Sequence, residues 1–290
     1  MSRVSVSVRK DICTQAARFL AEHGFAAPPL PPDQALQASK LEVTQLNLDD
    51  LLVKANLPRE DHKKIQAMLD TQERAVTFRG GLTAQQKNWG SLHEIGHEFL
   101  PWQRELLYFC PLLMLPVGVQ KEFESEADIF AAEAFFFGDR FMKYMAQGEW
   151  GLETAIDLAN NVFGTSLHAT FMHYVENSEK ACCLLVWRPT GHDGALWTPG
   201  SDSMSLHYYI KSPTFRGHIE PGQIADSDDA ITKVFCDSPN KVVKHILEFR
   251  SDTGEILVAD AQSFSNSYVV FTLISQPQPL KQLVSATAGH

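Results

Sequence analysis

The feature that most limits the fold is a change of period near residue 181. Before it, apolar residues recur at helical spacing, as in residues 8–23, where Ile12, Ala16, Phe19 and Leu20 share one face. After it come CCLLVW, SLHYYI, VVKHILEF, EILVAD and YVVFTLI, short extended runs parted by Gly, Pro, Asp and Ser clusters. The reading is an α+β chain. It has an N-terminal domain over residues 1–145, a helical connector over 146–180 and a strand-rich C-terminal α+β domain over 181–290. The length of 290 residues agrees with two domains at ~150 residues each.

Within the first part, APPLPPDQ (27–34) breaks the first helical pattern, and further helical patterns lie near 33–39 and 59–70. RAVTF (74–78) alternates and precedes Gly80-Gly81, so it reads as a strand ending in a turn. Residues 90–100 read as a helix, Cys110 to Val119 as a loop rich in Leu and Pro, and 121–145 as a second strong helix. GEWGLETAIDLANNVFGTSLHATFMHYVENS reads as two short helices split around Gly164. Its LANNVFGTSLHATF portion superficially resembles a helix-turn-helix, but composition and a weak turn favour a packing pair that joins domains. SDTG (251–254) suits a hairpin loop, and the chain from about 276 reads as a loose tail.

Composition excludes several classes. Hydrophobic residues at 44% and charged residues at 21% are enough for an ordinary core. No run approaches the ~20 apolar residues of a membrane span. Arg9, Lys10 and Asp11 interrupt any signal-peptide core, so a soluble, cytoplasmic protein with no membrane contact is expected. The five cysteines (Cys13, Cys110, Cys182, Cys183, Cys236) are odd in number, scattered and without a CxxC pair, which reads as free thiols. A net charge of −10 argues against holding nucleic acid through its phosphates and suits a basic protein partner better.

The chemistry concentrates in SLHEIGHEFLPW (91–102). On a helix His93 and His97 stack on one face, so both imidazoles can reach one ion. Glu94 lies about 100° round the helix, beside such an ion, where a carboxylate can take a proton from water. Zinc also needs a third protein ligand, and KEFESEADIFAAEAFF (121–136) offers Glu122, Glu124, Glu126 and Asp128. Glu124 and Asp128 are i and i+4, which lets Glu124 bind metal while Asp128 accepts a hydrogen bond from a ligand histidine. Glu126 falls roughly 160° from the Asp128 face and is expected in solvent, while Glu122 and Glu133 read as surface charges. Phe123, Ala127, Phe130 and Ala134 form an apolar stripe for packing against the first helix. Gly96 permits close approach of another backbone there. The other histidines lack partners at ligand spacing and read as structural or solvated.

These residues resemble the ImmA/IrrE family of gluzincin-like metallopeptidases. The resemblance lies in HEIGH followed some 25 residues on by ESEADIFAAEAFF. FAAPPLPPDQALQASKLEV, RAVTFRGGLTAQQKNWGSLHEIGH and SLHATFMHYVENSEKACCLLVW are also similar to the family, so the likeness covers about 1–188. The strand-rich remainder resembles the GAF-like domain of longer IrrE-type members. The resemblance implies a zincin-like fold, His93, His97 and Glu124 as metal ligands, Glu94 as base and Asp128 at the family's Asn/Asp position. This chain departs in FFFG after FAAEA and in NWGSL before the motif, which touches packing and the substrate groove.

The family cuts helix-turn-helix repressors to lift repression of stress-response or mobile-element genes. The expectation is therefore a zinc-dependent endopeptidase, with manganese as the alternative ion and a repressor as the protein substrate. Tyr108, His173 and Tyr174 are oxyanion-donor candidates by type. RAVTF is expected to act as a strand edge for an extended substrate. The competing reading is a non-catalytic, metal-containing module that binds and sequesters a transcription regulator.

Overall fold

The computed structural model describes residues 4–54, 65–109, 115–190, 203–216, 219–220, 222–225, 229–250 and 254–279. Helix and strand are both abundant, in an α+β arrangement. The chain divides into two compact units. One is Met1–Lys143 with Asn160–Thr165, and the other is Tyr144–Ala159 with Ser166–His290. The 146–180 stretch is shared between them, most of it in the second. No helix among the described residues is long and apolar enough to cross a membrane.

The first unit contains α1 (Val6–Glu22), α2 (Pro32–Ala38), β1 (Glu42–Val43), α3 (Leu48–Lys54), β2 (Ala67–Asp70), β3 (Ala75–Phe78), α4 (Ala84–Phe99), α5 (Pro101–Phe109), α6 (Val117–Phe135) and α7 (Arg140–Met145). Ile12, Ala16, Phe19 and Leu20 are the buried residues of α1, as the periodicity predicts. The Phe19 ring meets Phe99 of α4 at 5.2 Å and Phe130 of α6 at 5.7 Å, so the three helices share one aromatic core.

Three expectations change here. The helical pattern over 59–70 gives way to strand at Ala67–Asp70, its earlier part lying outside the described residues. Ala, Met and Leu are good helix formers, but pairing of the segment with β3 overrides that preference. RAVTF does form a strand, but not an edge. The sheet order is β1-β3-β2, with β3 central, parallel to β1 and antiparallel to β2. The helix over 121–145 breaks after Phe135. Gly138 N–H bonds Glu133 O at 2.9 Å and Phe137 N–H bonds Ala134 O at 3.3 Å, a Schellman ending with Phe137 at φ 57°. A left-handed Phe is strained, and its burial offsets the strain.

The second unit holds α8 (Leu152–Asp157), α9 (Leu167–Glu176), β4 (Cys182–Pro189), β5 (Met204–Lys211), β6 (Ile224–Ala225), α10 (Ala230–Asp237), β7 (Val242–Arg250), β8 (Ile256–Ser265), β9 (Val270–Ser275) and β10 (Gln278–Pro279). Between α8 and α9 runs a π-helical segment, Leu158–Phe163, and the break comes at Gly164, φ 65°. Ser166 Oγ then caps α9 by accepting from Ala169 N–H. The strands form a seven-stranded sheet in the order β10-β8-β9-β4-β5-β6, with β7 paired to β8. CCLLVW is buried at every position because β4 is interior and covered on both faces. Cys183, Leu185 and Trp187 face a core with Ile231, Val234 and Phe235 of α10. On the α9 side, Phe171 meets Phe271 at 5.0 Å. Of the SDTG loop, 251–253 lie outside the described residues, as do 280–290 of the expected tail. Gln278 and Pro279 pair with β8 rather than hanging loose.

Candidate metal centre

α4 starts at a capping box. Thr83 Oγ1 accepts from Gln86 N–H while Gln86 Oε1 accepts from Thr83 N–H, which fixes the register of everything after it. Along α4, His93 and His97 fall on the face turned to α6. Gly96 is what lets the helices meet so closely. A Cβ there would sit 3.2 Å from both Ala127 Cα and the Phe130 ring.

At this crossing the structure brings together His93, His97 and Glu124, whose ligand atoms all lie within 4.8 Å of one another. His93 Nε2 is 3.1 Å from Glu124 Oε2 and 3.2 Å from His97 Nε2, and His97 Nε2 is 3.9 Å from Glu124 Oε1. Asp128 Oδ1 lies 3.0 Å from His93 Nδ1, where the i, i+4 spacing puts it. The two imidazoles are largely buried, while Glu124 and Asp128 are half exposed and form the open side.

Glu126 corrects the sequence reading. It does point away from Asp128, but that side of α6 is covered by α5, so the carboxylate is buried rather than solvated. Glu126 Oε2 accepts 2.7 Å bonds from Trp102 Nε1 and Gln103 Nε2. Gln103, fully buried, also donates to Phe123 O at 3.1 Å. Both acceptors bind the same amide nitrogen, so Gln103 Oε1 must face His97 Nδ1, 2.7 Å away. His97 therefore carries its proton on Nδ1, and its Nε2 is a lone pair. Neither Gln103 nor Trp102 stood out in the sequence. Only their place five and six residues after His97 hints at them.

That tautomer chain tests the site's fit to a cation. A lone pair on His97 Nε2, the Nε2 of His93 and a carboxylate oxygen converge on one point, and acceptors so placed repel unless a positive charge lies among them. Two imidazole nitrogens and a carboxylate form a donor set suited to zinc, and the outer hydrogen bonds from both Nδ1 atoms are what such ligands require. In the protein alone the positive charge is a proton on His93. Burial opposes that proton, but hydrogen bonds to Asp128 and Glu124, with the charge of Glu94, outweigh burial and raise its pKa to about 10. Burial and then the charged His93 push His97 down to about 4. Burial works to raise Glu124 too, but its bond to His93 and the charge there hold it below the ordinary carboxylate range.

Glu94 is buried beside the cluster and its carboxyl accepts from the backbone N–H of Leu69. Burial raises its pKa to about 7 against the pull of His93. Leu69 belongs to β2, which among the described residues is paired only with β3. The edge strand at this site is therefore β2 and not RAVTF.

The remaining candidates lie elsewhere. Tyr108 lines a cleft of about 910 Å³ with Arg18, Arg74, Glu98 and Arg104, and none of His93, Glu94, His97, Glu124 and Asp128 lines it. Glu98 in that cleft is held by Arg74 at 2.6 Å and Arg104 at 3.3 Å. His173 and Tyr174 belong to the second unit, where the buried Tyr174 hydroxyl accepts from Gly151 N–H. Glu133 is not a surface charge either. Its side chain is only 15% exposed, and it bonds Cys13.

No family model and no curated protein matches the chain. Among solved structures, a Mycobacterium tuberculosis transcriptional regulator aligns over 93% of this chain and 80% of its own, with TM-score 0.53 and 13% identity. At that identity the likeness is one of fold alone.

Proposed function

We propose that the chain is a metal-dependent endopeptidase of the ImmA/IrrE kind, with a zincin-like first unit and a GAF-like regulatory second unit. The observation that carries this reading is the convergence of His97 Nε2, His93 Nε2 and Glu124 on one point with a buried carboxylate, Glu94, beside it. Zinc, or manganese in its place, held by those three residues would supply Lewis acidity toward a peptide carbonyl and toward water.

The chain's own residues do the rest. Gln103 and Asp128 hold the two imidazoles in one tautomer and one orientation. Glu94, lifted by burial toward neutrality, accepts a proton from the attacking water and delivers it to the leaving amine nitrogen as the C–N bond breaks. The Leu69 N–H keeps that carboxyl aimed. The outer side of β2 offers backbone groups to an extended peptide, which orients the scissile bond along the helix pair.

The substrate we assign, a helix-turn-helix repressor cut inside the cell, rests on the ImmA/IrrE resemblance. The solved structure of similar fold is named a transcriptional regulator, and that name fits a regulatory setting without bearing on catalysis. The test is Glu94→Gln, assayed on candidate repressors with metal content measured in parallel. Retained metal with cleavage lowered by ~10²–10⁴-fold supports the peptidase. Unchanged biological output from the variant would favour a module that binds and sequesters its regulator.

A further inference from the structure

β7 ends one side of the second unit's sheet. Over nine residues, VVKHILEFR, it is paired along its whole length with β8, and among the described residues with no strand on its other side. It carries neither a proline nor a register shift, two of the devices that keep natural edges from pairing. Its inward residues Leu247 and Phe249 are buried in the core. Its outward residues Lys244, Ile246 and Glu248 are exposed, with Ile246 at 59%.

Those three residues are self-complementary. In an antiparallel pair of identical strands, opposed residues must be equivalent in hydrogen-bonding direction, so only registers that shift the pairing sum by two are allowed. Centred on Ile246, the register sets Lys244 of each copy against Glu248 of the other, with Ile246 against Ile246 between them. Centred on His245 or Leu247, it sets a charged residue against Ile246. Centred on Lys244 or Glu248, it sets like charges face to face, which is destabilising. One register alone joins two opposite-charge pairs around an apolar centre.

From this we infer that β7 pairs antiparallel with β7 of a second copy of the chain, forming a two-fold symmetric dimer through one continuous sheet. A two-fold axis through Ile246 satisfies the rule that an isologous contact repeats each pair twice. A net charge of −10 on each copy opposes unspecific association, so attraction has to come from local complementarity. Strand addition buries little surface, which places the dimer among weak, transient ones.

The test is sedimentation equilibrium of the full chain from about 1 to 200 µM, a span suited to weak association. The expected mass rises from 32.4 kDa toward twice that value. Lys244→Glu and Glu248→Lys should each hold the protein monomeric, since each places like charges opposite. The double variant Lys244→Glu/Glu248→Lys should regain the dimer, because the swap restores both pairs. Both positions are exposed, so unchanged thermal unfolding is expected and serves as the folding control. A parent chain that stays at 32.4 kDa throughout overturns the inference. So does a dimer indifferent to the single variants, or one that the double variant fails to restore.

Discussion

Two histidines in this molecule, the half-buried His245 and the buried His97, are built from similar parts and end differently. In the second unit His245 Nε2 meets Ser263 Oγ at 2.8 Å, and Ser263 Oγ meets Thr272 Oγ1 at 2.7 Å. Ser263 and Thr272 are fully buried, so the network closes on itself within the sheet. In the first unit His97 is tied through Gln103 to Glu126 and Trp102, but only by Nδ1. Its Nε2 is left to face His93 and Glu124. A closed network satisfies its own polar groups and stabilises packing. A network that holds one nitrogen and presents the other could serve as a mount for a cation. The sheet engages both ring nitrogens of His245, Nδ1 lying 3.3 Å from Ile246 O, whereas the Gln103 chain holds His97 by Nδ1 and leaves Nε2 turned to His93 and Glu124.

The contrast is broken most directly at Gln103. Gln103→Leu should lower zinc affinity by ~10–100-fold, because His97 loses the bond that sets its tautomer. It should also destabilise the fold by ~1–3 kcal/mol, since the buried Glu126 loses a donor. Competitive titration against a chromophoric chelator reads the first effect, and urea unfolding of the metal-free protein reads the second. Ser263→Ala should cost ~1 kcal/mol in the same unfolding assay and leave zinc affinity unchanged. Equal effects of the two variants on zinc would erase the distinction.

Gly96→Ala sharpens the comparison by acting on geometry alone. The added methyl meets backbone at Ala127 Cα, which cannot swing aside as a side chain would. Overpacking of this kind costs ~1–3 kcal/mol and would push α4 and α6 apart. Metal affinity should fall with stability, measured by the same two assays. A variant as stable as the parent would show that the crossing is looser than described.

Much of this was legible in the sequence, and the reasons are physical. Spacing within one helix is fixed by 3.6 residues per turn, so His93 with His97 and Glu124 with Asp128 could be paired before any tertiary structure was known. The unbroken apolar run of CCLLVW marked β4 as interior, and the change of period near 181 marked where the sheet begins. What escaped depends on contacts between elements. The direction of Glu126 was right, but nothing in KEFESEADIF says that α5 lies over that side. The alternation of RAVTF beside Gly80-Gly81 suggests an edge, and its parallel neighbour β1, only two residues long, leaves no pattern to say otherwise. AMLD reads as helix on its own propensity, which pairing with β3 outweighs. Gln103 is a polar residue in an amphipathic helix until its amide is seen between His97 and Glu126.

The smallest expected effect concerns Glu133, a largely covered carboxylate that the sequence reading placed at the surface. Burial raises its pKa against the pull of Arg9 and Cys13. Below the unfolded pKa the group is protonated in both states and costs nothing. As pH rises through the raised folded pKa, the charge must be carried in a poorly solvated place, and that stability is lost. Glu133→Gln should therefore unfold at higher denaturant than the parent at pH 8, with the gap narrowing toward pH 4. A gap that is constant with pH would show that Glu133 is solvated after all.

In the proposed site two helices present His93, His97 and Glu124 to a single cation. Its most direct test is metal content by mass spectrometry for the purified parent beside His93→Ala and Glu124→Ala. The parent should carry ~1 ion per chain and both variants should lose it, as a three-ligand site requires. No metal in any sample after zinc is supplied would contradict it, and SLHEIGHEFLPW would then be a helix with a coincidental pattern.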